Sequence, residues 1–134
     1  MMRKILSKQF PFVTLPQALI ILRVAVALFF MAHAVVRIAN GSIPRFADFL
    51  ALKGFPFSLA LVWAISAYEI IAGTLMALGY WVRWTALGLM CIAAGGIVII
   101  HAKLGWFVGE HGVGGVEYSL CLLVALLTIA ASDR

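Results

Sequence analysis

Charge is what this chain has least of. Only 11% of its 134 residues are Asp, Glu, Lys or Arg, and just five are acidic, where soluble domains carry about 25% charged residues. With 65% hydrophobic residues and a mean hydropathy of +1.12, a fold of this size has too little polar surface to screen its apolar surface from water. A soluble domain is excluded, and a single compact integral membrane domain over residues 1–134 is expected. The net charge of +5 is scattered, with no basic run beyond Arg3-Lys4 and Lys8, so nucleic acid is not an expected partner. Cysteine is also scarce. Cys91 and Cys121 lie in apolar helical sequence without a CxxC spacing, which reads as small packing residues rather than a redox pair or metal ligands.

Several catalytic signatures are missing as well. A carboxylate-bridged di-iron site needs Glu-x-x-His, but Ala72 follows Glu69 and Leu120 follows Glu117 at that offset; no metal site is expected. The glycine-rich run Gly109-Glu110-His111-Gly112-Val113-Gly114-Gly115 has no Gly-Lys-Ser/Thr and follows no strand, so it is not a phosphate-cradling loop, although its amides precede a helix and suit an anion. There is no serine or cysteine nucleophile motif.

What is present is four apolar runs, about 17–38, 57–78, 84–102 and 115–131, each long enough to cross or nearly cross a ~30 Å hydrocarbon core. The last is the shortest. The first is too long for the apolar region of a signal peptide and contains Arg23, so it reads as a retained helix after a basic N-terminal segment. Asn40-Gly41 and Gly79 mark helix ends. Between the first two runs, Ser42–Pro56 alternates aromatic and charged residues, as a short helix lying in the interface does. Trp81 and Trp84 flank the turn between runs two and three like an aromatic belt. Residues 103–113 read as a loop. Gly73-x-x-x-Ala77, Gly88, Gly95 and Gly96 would let helices approach closely. The expected fold is all-α: an integral membrane four-helix bundle with a short interfacial helix between helices one and two.

Arg3, Lys4, Lys8, Arg83 and Arg134 fall on one side of that topology, and Arg45, Lys53 and Lys103 on the other. Five against three puts both termini in the cytoplasm, in a bacterial- or archaeal-type inner (plasma) membrane.

Within the apolar background one stripe is polar. His33 and Arg37 share a face of the first helix at i, i+4, and Arg23, fourteen residues before Arg37, falls within roughly 40° of it. Charge at that depth costs several kcal/mol without partners. By depth, His101 at the end of run three and Glu117 at the start of run four converge on His33 and Arg37, with Lys103 nearby. Glu69, near the middle of run two, lies within reach of Arg23 on one side or of the His33 level on the other. Each has a plainer reading: Glu117 as a helix-dipole partner, Arg37 and Lys103 as side chains reaching headgroups, His101 as an interfacial residue, and Glu69–Arg23 as a structural pair. Haem ligation by His33 and His101 is disfavoured by their different heights and by the neighbouring arginine.

In order and spacing, several short motifs carry a resemblance. They are Leu22-Arg23, His33-Ala34-x-x-Arg37, Phe46-Ala47-x-Phe49-Leu50 before Gly54-Phe55-Pro56, Glu69-x-x-x-Gly73, Leu78-Gly79-x-x-x-Arg83, and Glu117-Tyr118. Over nearly its whole length the chain resembles the DoxX family of small four-helix membrane proteins. That family is named for a subunit of an archaeal thiosulfate:quinone oxidoreductase, and other members look like accessory proteins of redox systems. The family pattern often has His-Gly and a lysine where this chain has His33-Ala34 and Arg37; arginine keeps the charge but not the shape.

Two readings follow. In the first the protein is redox-associated and binds a quinone, with Glu69 carrying protons, His33 or His101 donating to a carbonyl, and Arg37 holding an anion or a reduced oxygen. Arg23, Glu117 and Lys103 would complete substrate or anion binding, and Trp63 and Tyr68 would line an apolar slot. No electron-carrier signature is visible, so turnover requires a redox protein partner, or direct reaction of the quinone with a small anionic substrate such as a sulfur compound. In the second reading the chain is a non-enzymatic membrane scaffold or accessory subunit whose buried pairs fix helix register and which holds a redox or stress-response partner at the membrane; assembly as a homo-oligomer stays open in either reading. A proton or solute pathway along the stripe is the third and weaker alternative.

Overall fold

The computed structural model describes residues 11–109 and 114–133. Arg3, Lys4, Lys8, Glu110, His111 and Arg134 lie outside them. Among the described residues all regular structure is helical. Helix α1 spans Leu15–Ala39, α2 Ile43–Leu52, α3 Ser58–Leu78, α4 Val82–Gly96 and α5 Glu117–Ser132; α4 continues as a π-helical turn, Ile97–His101, and a 3-10 turn, Ala102–Leu104.

The boundaries follow local chemistry. Thr14 caps α1 through a reciprocal box with Gln17, two otherwise orphaned donors satisfied together. Asn40 and the left-handed Gly41 end it. Gly79, at φ +90°, ends α3, and the amides of Gly79 and Tyr80 return to Met76 and Leu75, the closure a left-handed glycine permits. The turn Gly79–Trp81 then reverses the chain.

Helices α1, α3 and α4 with its extension are long and apolar enough to cross a membrane, whereas α5, at 16 residues, is a shorter apolar helix. Expected spans and observed helices agree closely, except that the third is no uniform α-helix: its last turns unwind from Ile97 onward. Helix α1 packs along α3 and α4 along α5, with further contacts between α3 and α4 and between α1 and α5, while α2 lies on α3.

One core, which includes Phe30, Met76, Leu89 and Leu126, joins α1, α3, α4 and α5. A smaller one, Ile43, Ala47, Leu50 and Val62, seats α2 on α3. The outward faces stay apolar, with Ile20, Ile21, Leu28 and Val35 exposed on α1 and Leu59 and Ile71 on α3, as lipid contact demands.

Two glycines set the helix approach. A Cβ at Gly73 would strike Met31 and the Ala27 carbonyl of α1, and one at Gly88 would strike the Tyr68 ring of α3. Gly95 and Gly96 behave otherwise: no neighbouring helix approaches either one. They open a wall of the cavity described next, just before the π-helical turn. Wider turns of this kind relieve the 3.6-residue repeat and often accompany functional sites.

Candidate functional site

The contact of Gly73 with Ala27 and Met31 fixes the antiparallel register of α1 and α3. Four residues nearer the start of α3, Glu69 then stands at the level of His33. Helical side chains lean toward the N-terminus of their helix, so the long Arg37 side chain reaches back one turn to that level. Its Nη1 donates to Ser66 Oγ at 2.8 Å and lies 3.5 Å from Glu69 Oε2. Ser66 in turn donates to the Val62 carbonyl at 2.9 Å. The guanidinium also stands 5.4 Å from the centroid of Phe46, a cation–π contact from α2.

Glu69 is 3% exposed, and its Oε2 has no hydrogen-bond partner among the described residues: the arginine supplies charge at 3.5 Å without a directed N–H. A buried acceptor left in that state costs free energy, and a ligand donor or a proton on Oε2 removes the cost.

Glu69 and Arg37 border a cavity of 590 Å³, which His33 and His101 also line. Apolar walls come from Phe30, Phe46, Phe55, Ile65 and Leu122, with Tyr118 and Cys91 among the others. The volume is that of small-molecule sites, as is the combination of apolar lining with a few convergent polar groups. The His101 Nδ1 contacts the Gly114 carbonyl. A carbonyl only accepts, so Nδ1 carries the hydrogen and Nε2 of the neutral ring is an acceptor. On His101 only Nε2 is therefore open to a ligand, whereas the His33 ring makes no hydrogen bond among the described residues.

Three expected site residues lie elsewhere. The Arg23 guanidinium sits against Gly79 at the end of α3, ten residues and ~15 Å along the helix from Glu69. Of the two partners open to Glu69, the structure thus takes the one at the His33 level, Arg37, and Arg23 instead faces the negative end of the α3 dipole, with its Nε buried and without a hydrogen bond among the described residues. Glu117 Oε1 accepts from the Val108 amide at 2.8 Å, tying the loop to α5 rather than facing the cavity. Lys103 stands beside Lys53, outside the cavity lining. Trp63 and Tyr68 do not line the slot either: Tyr68 donates to the Thr85 carbonyl, and the rings in the wall are Phe30, Phe46, Phe55 and Tyr118. The two cysteines are free and exposed rather than packed, and Cys91 borders the cavity. Ser66, Tyr118 and Cys91 were missed because each looks like an ordinary helical residue; only the helix register brings them to the site.

The fold and site define a small helical integral membrane protein with a mostly apolar cavity between its helices, bordered by Glu69, Arg37, His33 and His101. A family model described as DoxX matches residues 18–102, and the chain belongs to the DoxX family. The match covers α1 to α4 and every cavity residue on them; Tyr118, Ser119 and Leu122 of α5 lie beyond it. No curated protein and no solved structure matches the chain.

Proposed function

We propose that the protein is a four-span, redox-associated protein of the inner (plasma) membrane, with both termini cytoplasmic, that binds a quinone in the 590 Å³ cavity. It would serve a redox protein partner, as a subunit of a thiosulfate- or sulfur-linked quinone oxidoreductase does. The observation that carries this reading is the buried Glu69 Oε2, which accepts no hydrogen bond among the described residues, beside the Arg37 guanidinium in the wall of a mostly apolar cavity.

A quinone has an apolar ring and tail and two carbonyl acceptors, and the residues present fit it. Phe30, Phe46, Phe55 and Leu122 offer the apolar walls. The N–H groups of Arg37 not directed at Ser66, together with the His33 ring, offer donors to a carbonyl. Bound there, a quinone would supply two-electron, two-proton chemistry between the membrane and the partner. Glu69 Oε2 would hold a proton next to the ligand, and His101 Nε2 would accept one. The Arg37 charge would favour any negative oxygen in a low-dielectric site.

One observation favours a scaffold instead: Arg37 already has Ser66, Glu69 and Phe46 as protein partners, which is what a register-fixing pair requires. Calorimetric titration of a short-chain quinone into the detergent-solubilised protein separates the two. Quinone binding by wild type, weakened at least about tenfold in a Glu69→Gln protein that keeps its helical spectrum, supports the proposal; one lost contact to a buried charged group has that size. No binding by either protein, with a lower Tm for Glu69→Gln, supports the scaffold.

A further inference from the structure

A second cavity, of 450 Å³, lies on the other side of Arg37 and is lined by His33, Val36, Arg37, Ser42, Arg45, Phe46 and Phe49. Two arginines face it and, among the described residues, no carboxylate does. Arg45 has no hydrogen-bond or ion-pair partner among the described residues, and Asp48, one turn along α2, does not pair with it. Arg37 directs Nη1 toward Ser66 and Glu69, but a guanidinium has five N–H donors in a planar fork, so others stay available. Ser42 spends its hydroxyl hydrogen on the Arg37 carbonyl and offers only an acceptor.

Depth supplies the second argument. Arg37 is two residues from the end of α1, and Arg45 is the third residue of α2. At 1.5 Å per residue, the Arg37 Cα is about 3 Å from the point where the chain leaves the first span; its guanidinium reaches back one turn from there, while the exposed Arg45 stands beyond the span end, where phosphates line a bilayer, so the site opens from the headgroup level inward. Phe46 and Phe49, stacked at 6.4 Å, close the apolar side of the cavity, where the glycerol and first methylenes of a lipid would lie. Paired guanidinium groups match a phosphate through parallel N–H···O bonds.

We propose that this cavity is a binding site for a phosphate group of net negative charge, from an anionic phospholipid or free phosphate, held between Arg37 and Arg45. The site does not require the quinone reading, because Arg45 does not line the larger cavity. Arg37, His33 and Phe46 border both, so an anion here draws on the same arginine that neutralises Glu69.

The test is native mass spectrometry of the full-length, delipidated protein titrated with phosphatidylglycerol or phosphatidylcholine. The wild type should retain phosphatidylglycerol in preference to phosphatidylcholine. Arg45→Gln should weaken phosphatidylglycerol retention roughly tenfold, the size of one charge-assisted contact. Asp48→Asn, which removes an exposed neighbouring carboxylate, should not weaken it. Displacement of the lipid by millimolar inorganic phosphate assigns the site to the free anion, and retention in its presence assigns it to the lipid. Equal retention by wild type and a folded Arg45→Gln protein, with neither lipid nor phosphate distinguishing them, overturns the proposal. Quinone titration of Arg45→Gln should match wild type, so failure here is separable from failure of the quinone reading.

Discussion

Arg37 of α1 and Glu69 of α3 form an ion pair at 3.5 Å in which the carboxylate oxygen is buried yet accepts no hydrogen bond. Removing one member of a buried pair strands the other's charge, at a cost of about 3–5 kcal/mol, whereas replacing both with apolar residues of similar volume is often neutral. Glu69→Leu should therefore lower thermal stability sharply, and Arg37→Met with Glu69→Leu should restore most of it. Circular dichroism melts of the two variants in the same detergent check this. A double variant no more stable than the single one removes the pair from the energetics.

Gly115 tests the loop that fixes His101. A Cβ there would overlap the carbonyl oxygens of Trp106 and Phe107, backbone atoms that cannot rotate aside. The same segments are joined by Val116 N to Gly105 O at 3.0 Å and Glu117 N to Trp106 O at 3.1 Å. Gly115→Ala should cost about 1–3 kcal/mol, as overpacking does, and speed hydrogen exchange at Val108 and Val116. Unchanged exchange at both amides contradicts the close approach.

Cys91 borders the large cavity, and Cys121, also exposed, does not. Alkylation of Cys91 in a Cys121→Ser background should abolish quinone binding, and excess quinone should slow the alkylation. The reciprocal background, Cys91→Ser, should show neither effect. Peptide mass mapping with a quinone titration measures both.

Lys53 and Lys103 make a pH prediction at the surface. The Lys103 side chain, within hydrogen-bond range, holds the Lys53 ammonium below the ordinary lysine value, with their mutual repulsion adding to the effect. A lysine lowered on folding binds fewer protons in the folded state, so this repulsion opposes folding in full below the folded pKa. It is relieved as pH rises through that value toward the unfolded one, and stability rises over that window. Lys103→Gln should return Lys53 to the usual lysine range and flatten the alkaline dependence. NMR titration of 13C-methylated lysines reads this directly.

Much of the fold was legible because its punctuation is local. Asn40-Gly41 and Gly79 needed no tertiary information, and the apolar runs predict α1, α3 and α5 to within two residues at each end. The partner of Glu69 was not legible. Arg23 and Arg37 share a face of α1, and the choice between them depends on where α3 crosses it, which Gly73 decides against Ala27 and Met31. The unwinding at Ile97 was hidden too, because Gly95-Gly96 reads equally well as a helix-packing pair. The convergence of His33, Arg37 and His101 survived because depth along a span follows from residue count alone. Glu117 and Lys103 sit at similar depth, yet the loop after α4 claims one and solvent the other.

The most direct measurement is native mass spectrometry of the gently extracted protein beside Glu69→Gln, with the released small molecules identified. Expected is a quinone held by the wild type and missing from a folded Glu69→Gln protein, with phospholipid retained by both. Phospholipid alone in both proteins would contradict quinone binding and leave Arg37 and Glu69 as architecture.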